Sequence, residues 1–577
     1  MNEIKRLGAL PIPTSASILL PLCLDWLALA IIPLSILAIA VVYIWPAPLE
    51  FPMDDAYIHF VYARNLSEQG GLFFNYPGEK GVGTSSLLWV LLLASGYRLG
   101  LYMNGLAILL GLVSLTAVGV GLYLLLRPHL QPLPALACSL FVVLSGHMLW
   151  FSLSGMETTL FLALSIWSIL FYREKRWGWL GLLLGFMVLT RLEGVILALV
   201  IALVDIWQQK FIRHGLLVAG VVCACISVPW IVYLWLRTGY PLPTSGIGKH
   251  FSYFTVMQLM ADKNDSLVLL RWLPNLVYPL AWLPYTIEFI LGGFALPPPY
   301  ILIDIGLSLS TFRLSIWAIF TLITVVIPLL WISARWLLRT LRAPGWDIDD
   351  PRLPLVIFLA WMVLHNLGYM VYLPSISNAS RYGAMNHISL WIALFSGLIF
   401  VRKPVYRTWL VTGLTIIALA NTLYWNQVYD ANLEHTLKVR ISSAQYLRYK
   451  IPSSEKCAAI DIGAIKYYSE LQFIDLGNLV DPKISQWYFN DKLDRYLVEN
   501  RVTCLVIPSS AGITFYRMPD YGEEMGFYDS TLFELQQMAI FKIDRERLLL
   551  GYLPTGNGQG TVTIYKIKMN SGLSEDG

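Results

Sequence analysis

Long apolar runs, rather than strict alternation, dominate the first three quarters of this chain. Stretches free of charged side chains cover residues 26–49, 99–126, 130–156, 215–236, 314–334, 353–380, 382–401 and 408–429, with shorter ones at 158–172, 177–190 and 194–204. A helix needs about 20 apolar residues to cross the hydrocarbon core of a bilayer. The pattern therefore predicts a polytopic α-helical membrane protein. The first run is longer than a signal-peptide core and lacks a small-residue cleavage site, so it reads as an uncleaved first helix. After residue 430 the pattern changes. Short β-rich runs at 457–462, 471–475, 503–507, 539–543 and 562–567 alternate with helical stretches such as 484–500, which predicts a small α/β domain.

Sidedness follows from the positive clusters, which favour the cytoplasm. They lie at Lys5-Arg6, Arg127, Arg173–Arg176, Lys210–His214, Arg335–Arg342 and Arg402–Arg407. The N-terminus is then cytoplasmic and the loop 47–84 is outside. Residues 85–98 must return without crossing; fourteen helical residues rise only about 21 Å. The turn at Gly155-Met156-Glu157, the tip at Arg191–Glu193, residues 237–264, residues 375–381 and everything after about Tyr424 also fall outside. Residues 265–312 read either as two further spans or as horizontal helices, which makes about eleven or thirteen transmembrane helices.

Charge sharpens the division. The chain has 41 Lys and Arg, 37 Asp and Glu, and 56% hydrophobic residues. Charged residues make up about a quarter of 430–577, as in soluble domains, but only about a tenth of 1–429. Two domains follow: a transmembrane domain, 1–429, and a C-terminal soluble domain, 430–577. The composition excludes a disordered chain, a nucleic-acid-binding domain and an ordinary cytosolic enzyme. Cys457 and Cys504 fall in two predicted strands and are either a disulfide or free thiols. Cys23, Cys138, Cys223 and Cys225 read as packing residues.

Charges near membrane depth are costly and usually mark function. On the outer face they are few: Asp54, Asp55, Glu157, Arg191, Glu193, Lys249 and Arg381. Paired carboxylates beyond the first helix suit general-base chemistry, and they equally suit the start of a helix. Arg191 and Glu193 suit a structural ion pair, Lys249 suits snorkelling at the interface, and Glu157 suits a helix start. His59 reads as a packing residue of an interfacial helix. His147, His365 and His387 read as core histidines.

The run Asp54-Asp-Ala-Tyr-Ile-His-Phe-Val-Tyr-Ala-Arg-Asn-Leu66, continuing to Thr84-Ser-Ser-Leu-Leu-Trp89, resembles the first outer loop of GT-C glycosyltransferases. The terminal β-arabinofuranosyltransferase-like group is the most similar in pattern. Ser154-Gly-Met-Glu-Thr158, Leu189-Thr-Arg-Leu-Glu-Gly194, the loop Gly239–Lys249, Ser380-Arg-Tyr382, the segment from Asp461-Ile-Gly-Ala to Ser469, and Ile474–Pro482 resemble later segments of that group, in the same order. Leu192 stands where the group usually has Pro. Thr244 and Ser245 are offset from its Asn-Thr.

The resemblance implies an inverting transfer from a polyprenyl-phosphate sugar donor to a cell-envelope glycan or glycolipid acceptor, at the outer face of the cytoplasmic membrane. It implies Asp54 as the base, with Asp55 beside it. Lys249, Arg381 and Arg191 would bind the donor phosphate, and Glu157, Glu193 and Tyr57 would orient substrate. A divalent cation held by the acids stays open. A transporter or flippase is the other reading of such a chain, although it shows no sequence repeat of the kind carriers carry.

Overall fold

The structure is a computed structural model. It describes residues 15–209, 213–250, 352–372, 378–399, 403–481, 492–509, 521–544, 546–548 and 560–570, with isolated positions between. Residues 265–312, where two further spans were in question, lie outside the described residues.

The chain forms a multi-pass membrane domain. Helices α1 (Ser15–Ile44), α2 (Asp54–Gln69), α3 (Leu87–Arg98), α4 (Met103–Leu126), α5 (Pro132–Val143) and α6 (Gly146–Ser152) come first. They are followed by α7 (Thr158–Arg173), α8 (Trp177–Thr190), α9 (Gly194–Gln209) and α10 (His214–Thr238). After the central segment come α11 (Arg352–Tyr372), a 3-10 turn at Asn378–Gly383, α12 (Ala384–Ile399) and α13 (Pro404–His435). Among the described residues, Cys23–Ile44, Met103–Leu126 and His214–Thr238 are each long and apolar enough to cross a membrane alone.

The apolar run 130–156, which reads as one straight span, is α5 and α6 meeting at 61°. A break inside a membrane frees backbone groups that must find partners in protein. Here α13 supplies them. The Gly146 N–H donates to Asn421 Oδ1 at 2.7 Å, and Thr422 Oγ1 donates to the Leu144 carbonyl at 2.5 Å. Gly146 is required there, because a Cβ would lie 2.4 Å from that of Trp425. Helix α3 is short, as expected of a segment that returns without crossing, and Ser86 caps its start.

The C-terminal domain grows directly out of the last long helix. Helix α13 passes through a π-helical turn at Thr436–Ile441 into α14 (Ser442–Lys450). Then follow β1 (Lys456–Ala459), α15 (Gly463–Ser469), β2 (Gln472–Asp475), α16 (Leu493–Glu499), β3 (Val502–Ser509), α17 (Tyr521–Glu524), β4 (Phe533–Lys542) and β5 (Thr561–Met569). The sheet order is β2-β1-β3-β5-β4. Strands β1–β2 and β1–β3 run parallel, whereas β3–β5 and β4–β5 are antiparallel. Cys457 and Cys504 sit opposite each other on β1 and β3 and form a disulfide.

Side chains alternate across this sheet, as strand geometry dictates. Ala458 and Leu505 belong to the domain's own small core, with Leu497 of α16. Cys457, Cys504 and Val506 face the other way, into the core shared with the membrane domain. Asn75, in the loop between α2 and α3, closes the β2 edge: its amide donates to the Phe473 carbonyl at 2.9 Å and accepts from the Phe473 N–H at 3.0 Å.

Asp54 joins the helical domain to the C-terminal one. Its carboxylate accepts from the N–H groups of Gly463 and Ala464 at 2.7 and 2.8 Å, at the start of α15. Arg440, fully buried on the π-helical turn, lies 3.8 Å from Asp54 and 2.8 Å from Asp461. Only glycine fits at 463, since a Cβ would stand 2.0 Å from the Asp54 carbonyl oxygen. This gives a test with a sign. Gly463→Ala raises helix propensity by about 1 kcal/mol, yet it must push the domains apart. We expect a clear fall in the melting temperature of the detergent-solubilised protein; an unchanged or higher value would mean that the contact is not made.

Candidate active site

Helix α2 begins at the Asp54-Asp55 pair because acids suit its N-terminus. Consecutive residues on a helix point about 100° apart, so the two acids face different partners. Asp54 faces the C-terminal domain and is not among the residues that line the cavity described next. Burial pushes its carboxyl up to about 6, against the pull of Arg440 and the two N–H groups. Asp55, Ile58 and His59 share the next stripe and open into a cavity of about 510 Å³.

One end of that cavity is charged. Arg381, on the 3-10 turn, donates to Asp55 Oδ2, and Lys249 Nζ is 3.8 Å from the same oxygen. Lys249 also donates to the Tyr382 hydroxyl at 3.0 Å. Burial raises the Asp55 carboxyl, but Lys249 and Arg381 outweigh it and hold the group well below the usual carboxylate range. Tyr382 is a hub for cations. Its ring centre lies 4.8, 5.5 and 5.3 Å from the charged ends of Arg191, Lys249 and Arg381. Burial raises its phenol, and these three cations overcome that and bring it down to about 8.

A second cluster adjoins the first. Arg191, in extended backbone after α8, donates to Glu193 Oε1 at 2.5 Å, Glu157 Oε1 at 3.2 Å and the Tyr369 hydroxyl at 3.1 Å. Tyr369 in turn donates to Glu193 at 2.7 Å. Glu157 is wholly buried, and its Oε2 lies 3.7 Å from His59 Nε2.

The formal charges of the two clusters differ. Among the described residues Asp55 faces two cations, Arg381 and Lys249, one positive charge more than it balances. Arg191 faces two carboxylates, leaving one negative charge in excess. The first suits a singly charged anion such as a phosphodiester. Away from the charges the cavity wall is apolar: Val188 of α8, Ile196 of α9, Ile231 of α10 and Leu242 line it.

The structure thus sets Asp55, Arg191, Glu193, Lys249 and Arg381 in the wall of one cavity, with Glu157 buried behind Arg191 and His59. Tyr57 is placed elsewhere. Its hydroxyl accepts from the Phe51 N–H at 3.1 Å and donates to Glu50 at 2.6 Å, and its ring packs against Tyr467 and Tyr468. Asp54, Asp55 and Glu157 are each taken by a different partner set, so they do not converge as ligands of one divalent cation. Among the described residues no group of three or more His, Cys, Asp or Glu gathers for a metal ion. Tyr382, Tyr369 and Arg440 escaped sequence reasoning. Only the adjacency of Tyr382 to Arg381 hinted at the first.

Comparison with known proteins agrees with the architecture. Residues 426–565 match a domain of unknown function, DUF8728. No curated protein matches the chain. Among solved structures it is similar to ArnT from Cupriavidus metallidurans, in the apo state and bound to undecaprenyl phosphate. The TM-score is 0.51 at 12% identity, covering 93% of this chain and 97% of that one. The Archaeoglobus fulgidus oligosaccharyltransferase with a tethered acceptor peptide matches at TM-score 0.49 and 13% identity, over 84% of this chain and 69% of that one. The mycobacterial arabinofuranosyltransferase AftD matches at 0.42 and 11%, over 94% and 42%. The likeness to ArnT is one of fold: a polytopic helical membrane part followed by a small C-terminal sheet domain.

The charge balance predicts the behaviour of one variant. Asp55→Asn removes the carboxylate that Arg381 and Lys249 share, a loss of about 3 kcal/mol for a buried pair. The variant should melt below wild type in phosphate-free buffer and recover most of the difference in millimolar inorganic phosphate. An equal response of both proteins would show that the two cations do not form an anion site.

Proposed function

We propose that this protein is an inverting glycosyltransferase that moves a sugar from a polyprenyl phosphate to a hydroxyl of a cell-envelope glycan or glycolipid. The observation that carries this reading is the cavity itself. An excess positive charge at Arg381 and Lys249 adjoins an apolar wall built from membrane helices. That combination matches a ligand with a phosphate at the interface and a lipid chain in the bilayer. Undecaprenyl phosphate in ArnT, which has the same fold, supports the lipid class.

In this reading the acceptor oxygen attacks the anomeric carbon from the face opposite the phosphate. The bond from that carbon to the phosphate oxygen breaks, and its electron pair leaves with the polyprenyl phosphate. Lys249 and Arg381 stabilise the developing charge, the term that dominates many enzymatic accelerations. The acceptor proton goes to Asp55, which is the acid that faces the cavity.

In the ligand-free protein Asp55 is the counter-ion of those two cations and a very weak base. A bound phosphate replaces it as their partner and raises its basicity, so the base becomes competent when the donor is present. Asp54 holds the start of α2 against the C-terminal domain and so positions Asp55. Arg191 positions Tyr382 and the outer loop rather than meeting phosphate directly, since two carboxylates already neutralise it.

We place the site on the outer face of the cytoplasmic membrane, with the N-terminus inside. The Cys457–Cys504 disulfide supports an oxidising compartment for the C-terminal domain.

The test uses the purified full chain in liposomes, with a panel of polyprenyl-phosphate pentoses and hexoses and synthetic alkyl glycoside acceptors. Product glycoside and free polyprenyl phosphate should appear together. Asp55→Asn should lower turnover by about 10²–10⁴-fold while still binding undecaprenyl phosphate. Lys249→Ala should chiefly weaken donor binding. Movement of the lipid-linked sugar across the bilayer without any glycoside product would favour a carrier instead.

A further inference from the structure

His59 occupies a position that a packing residue does not need. It lies one helical turn after Asp55 on the same face of α2, and it lines the cavity. Its Nδ1 is 2.8 Å from Thr84 Oγ1, and its Nε2 points to Glu157 Oε2 at 3.7 Å. That oxygen belongs to a wholly buried carboxylate and has no hydrogen-bond partner among the described residues. A buried carboxylate oxygen left without a donor is costly. A proton on His59 Nε2 would supply one.

We propose that His59, backed by Glu157, is the proton-accepting partner of Asp55: it receives the proton that Asp55 takes from the attacking hydroxyl and holds it as an imidazolium until release to solvent. This rests on the reading of the cavity as a transfer site.

The charge distribution favours that transfer. Arg191 with Glu157 and Glu193 carries one negative charge in excess, and this cluster adjoins His59. An imidazolium brings it to neutrality. The donor phosphate does the same for Asp55, Lys249 and Arg381. With the donor bound the first cluster carries no net charge; transfer leaves a second negative charge there, on the departing phosphate, while the delivered proton cancels the excess negative charge of the second cluster. The groups that act on His59 are Glu157, Arg381, Asp55 and Arg191, two of each sign. In the ligand-free protein burial holds the imidazole below its ordinary pKa, with Glu157 pulling the other way, so it is neutral at pH 7 and ready to accept.

The proton count closes. The hydroxyl loses H⁺ to Asp55, Asp55 passes it to His59, and the polyprenyl phosphate leaves as the dianion. Asp55 is thereby restored as a carboxylate before the phosphate departs and the two cations return to it.

The pair can be tested without a known sugar. Diethyl pyrocarbonate modifies only neutral imidazole. Its rate at His59, read by mass spectrometry on the full chain with undecaprenyl phosphate present, should titrate between about pH 5 and 8. In Glu157→Gln the midpoint should fall by about one unit or more. A His59 unreactive at every pH, or one with the same midpoint in both proteins, overturns the proposal. The wild-type titration alone decides if Glu157→Gln does not fold: a flat response refutes the pair, and a midpoint in that window supports it.

In the liposome assay, His59→Asn keeps a group able to bond Thr84 and removes the titration. Its turnover should fall at least about tenfold and lose the acid limb of the wild-type pH profile. An unchanged profile refutes the role of His59 alone, whereas the absence of any glycoside product from the wild type refutes the underlying transfer reading.

Discussion

The carboxylate of Asp54 is the contact on which the rest of the site depends. It is buried at a junction of three elements: the start of α2, the start of α15 and the π-helical turn that carries Arg440. A buried carboxylate is tolerated only when donors and a counter-charge surround it. The two N–H groups and Arg440 provide both, and Asp461 balances the second side of the guanidinium. The π-turn matters because one extra residue in the turn shifts the register of the helix at that point. It delivers Arg440 to the junction while α13 and α14 remain continuous. Once Asp54 is anchored, the next residue must point elsewhere, and Asp55 enters the cavity.

The cavity follows from a constraint of the bilayer. Ionised groups cannot sit unpaired at membrane depth, so most of the charged residues gather where helices end: the start of α2, the residue before α7, the loop after α8 and the turn before α12, joined by Lys249 from the helical residues 244–250. Each cation is paired or stacked. Tyr382 unites them because an aromatic face accepts several cations at once without demanding a full counter-charge. The outcome is a site nearly neutral in total but polarised, with a positive cluster and a negative cluster side by side.

The same demand for satisfied polar groups shapes the parts distant from the chemistry. The bend between α5 and α6 is satisfied by α13: Asn421 accepts from the freed Gly146 N–H and Thr422 donates to the freed Leu144 carbonyl. Asn75 closes the edge of β2 in the same manner, and this is a second clamp between the loop joining α2 to α3 and the C-terminal domain.

Much of this was legible along the chain. Apolar runs located the described spans, because crossing hydrocarbon requires length and apolarity that composition alone reports. The β-rich runs located the strands of the C-terminal sheet to within a few residues, except that β4 begins earlier than its run. Of the scarce charges that the positive clusters predict on one side, five line one cavity and Glu157 lies buried behind them. What the chain could not report was direction. Asp54 and Asp55 are the same residue type one position apart, and only the packing of α15 against α2 decides which meets the cavity. Tyr57 looked equally suited to substrate until the fold turned it toward Glu50. Arg440 and Gly463 are far from Asp54 in sequence. Their roles come from a close approach between domains, which is a property of three-dimensional distance and leaves no local pattern.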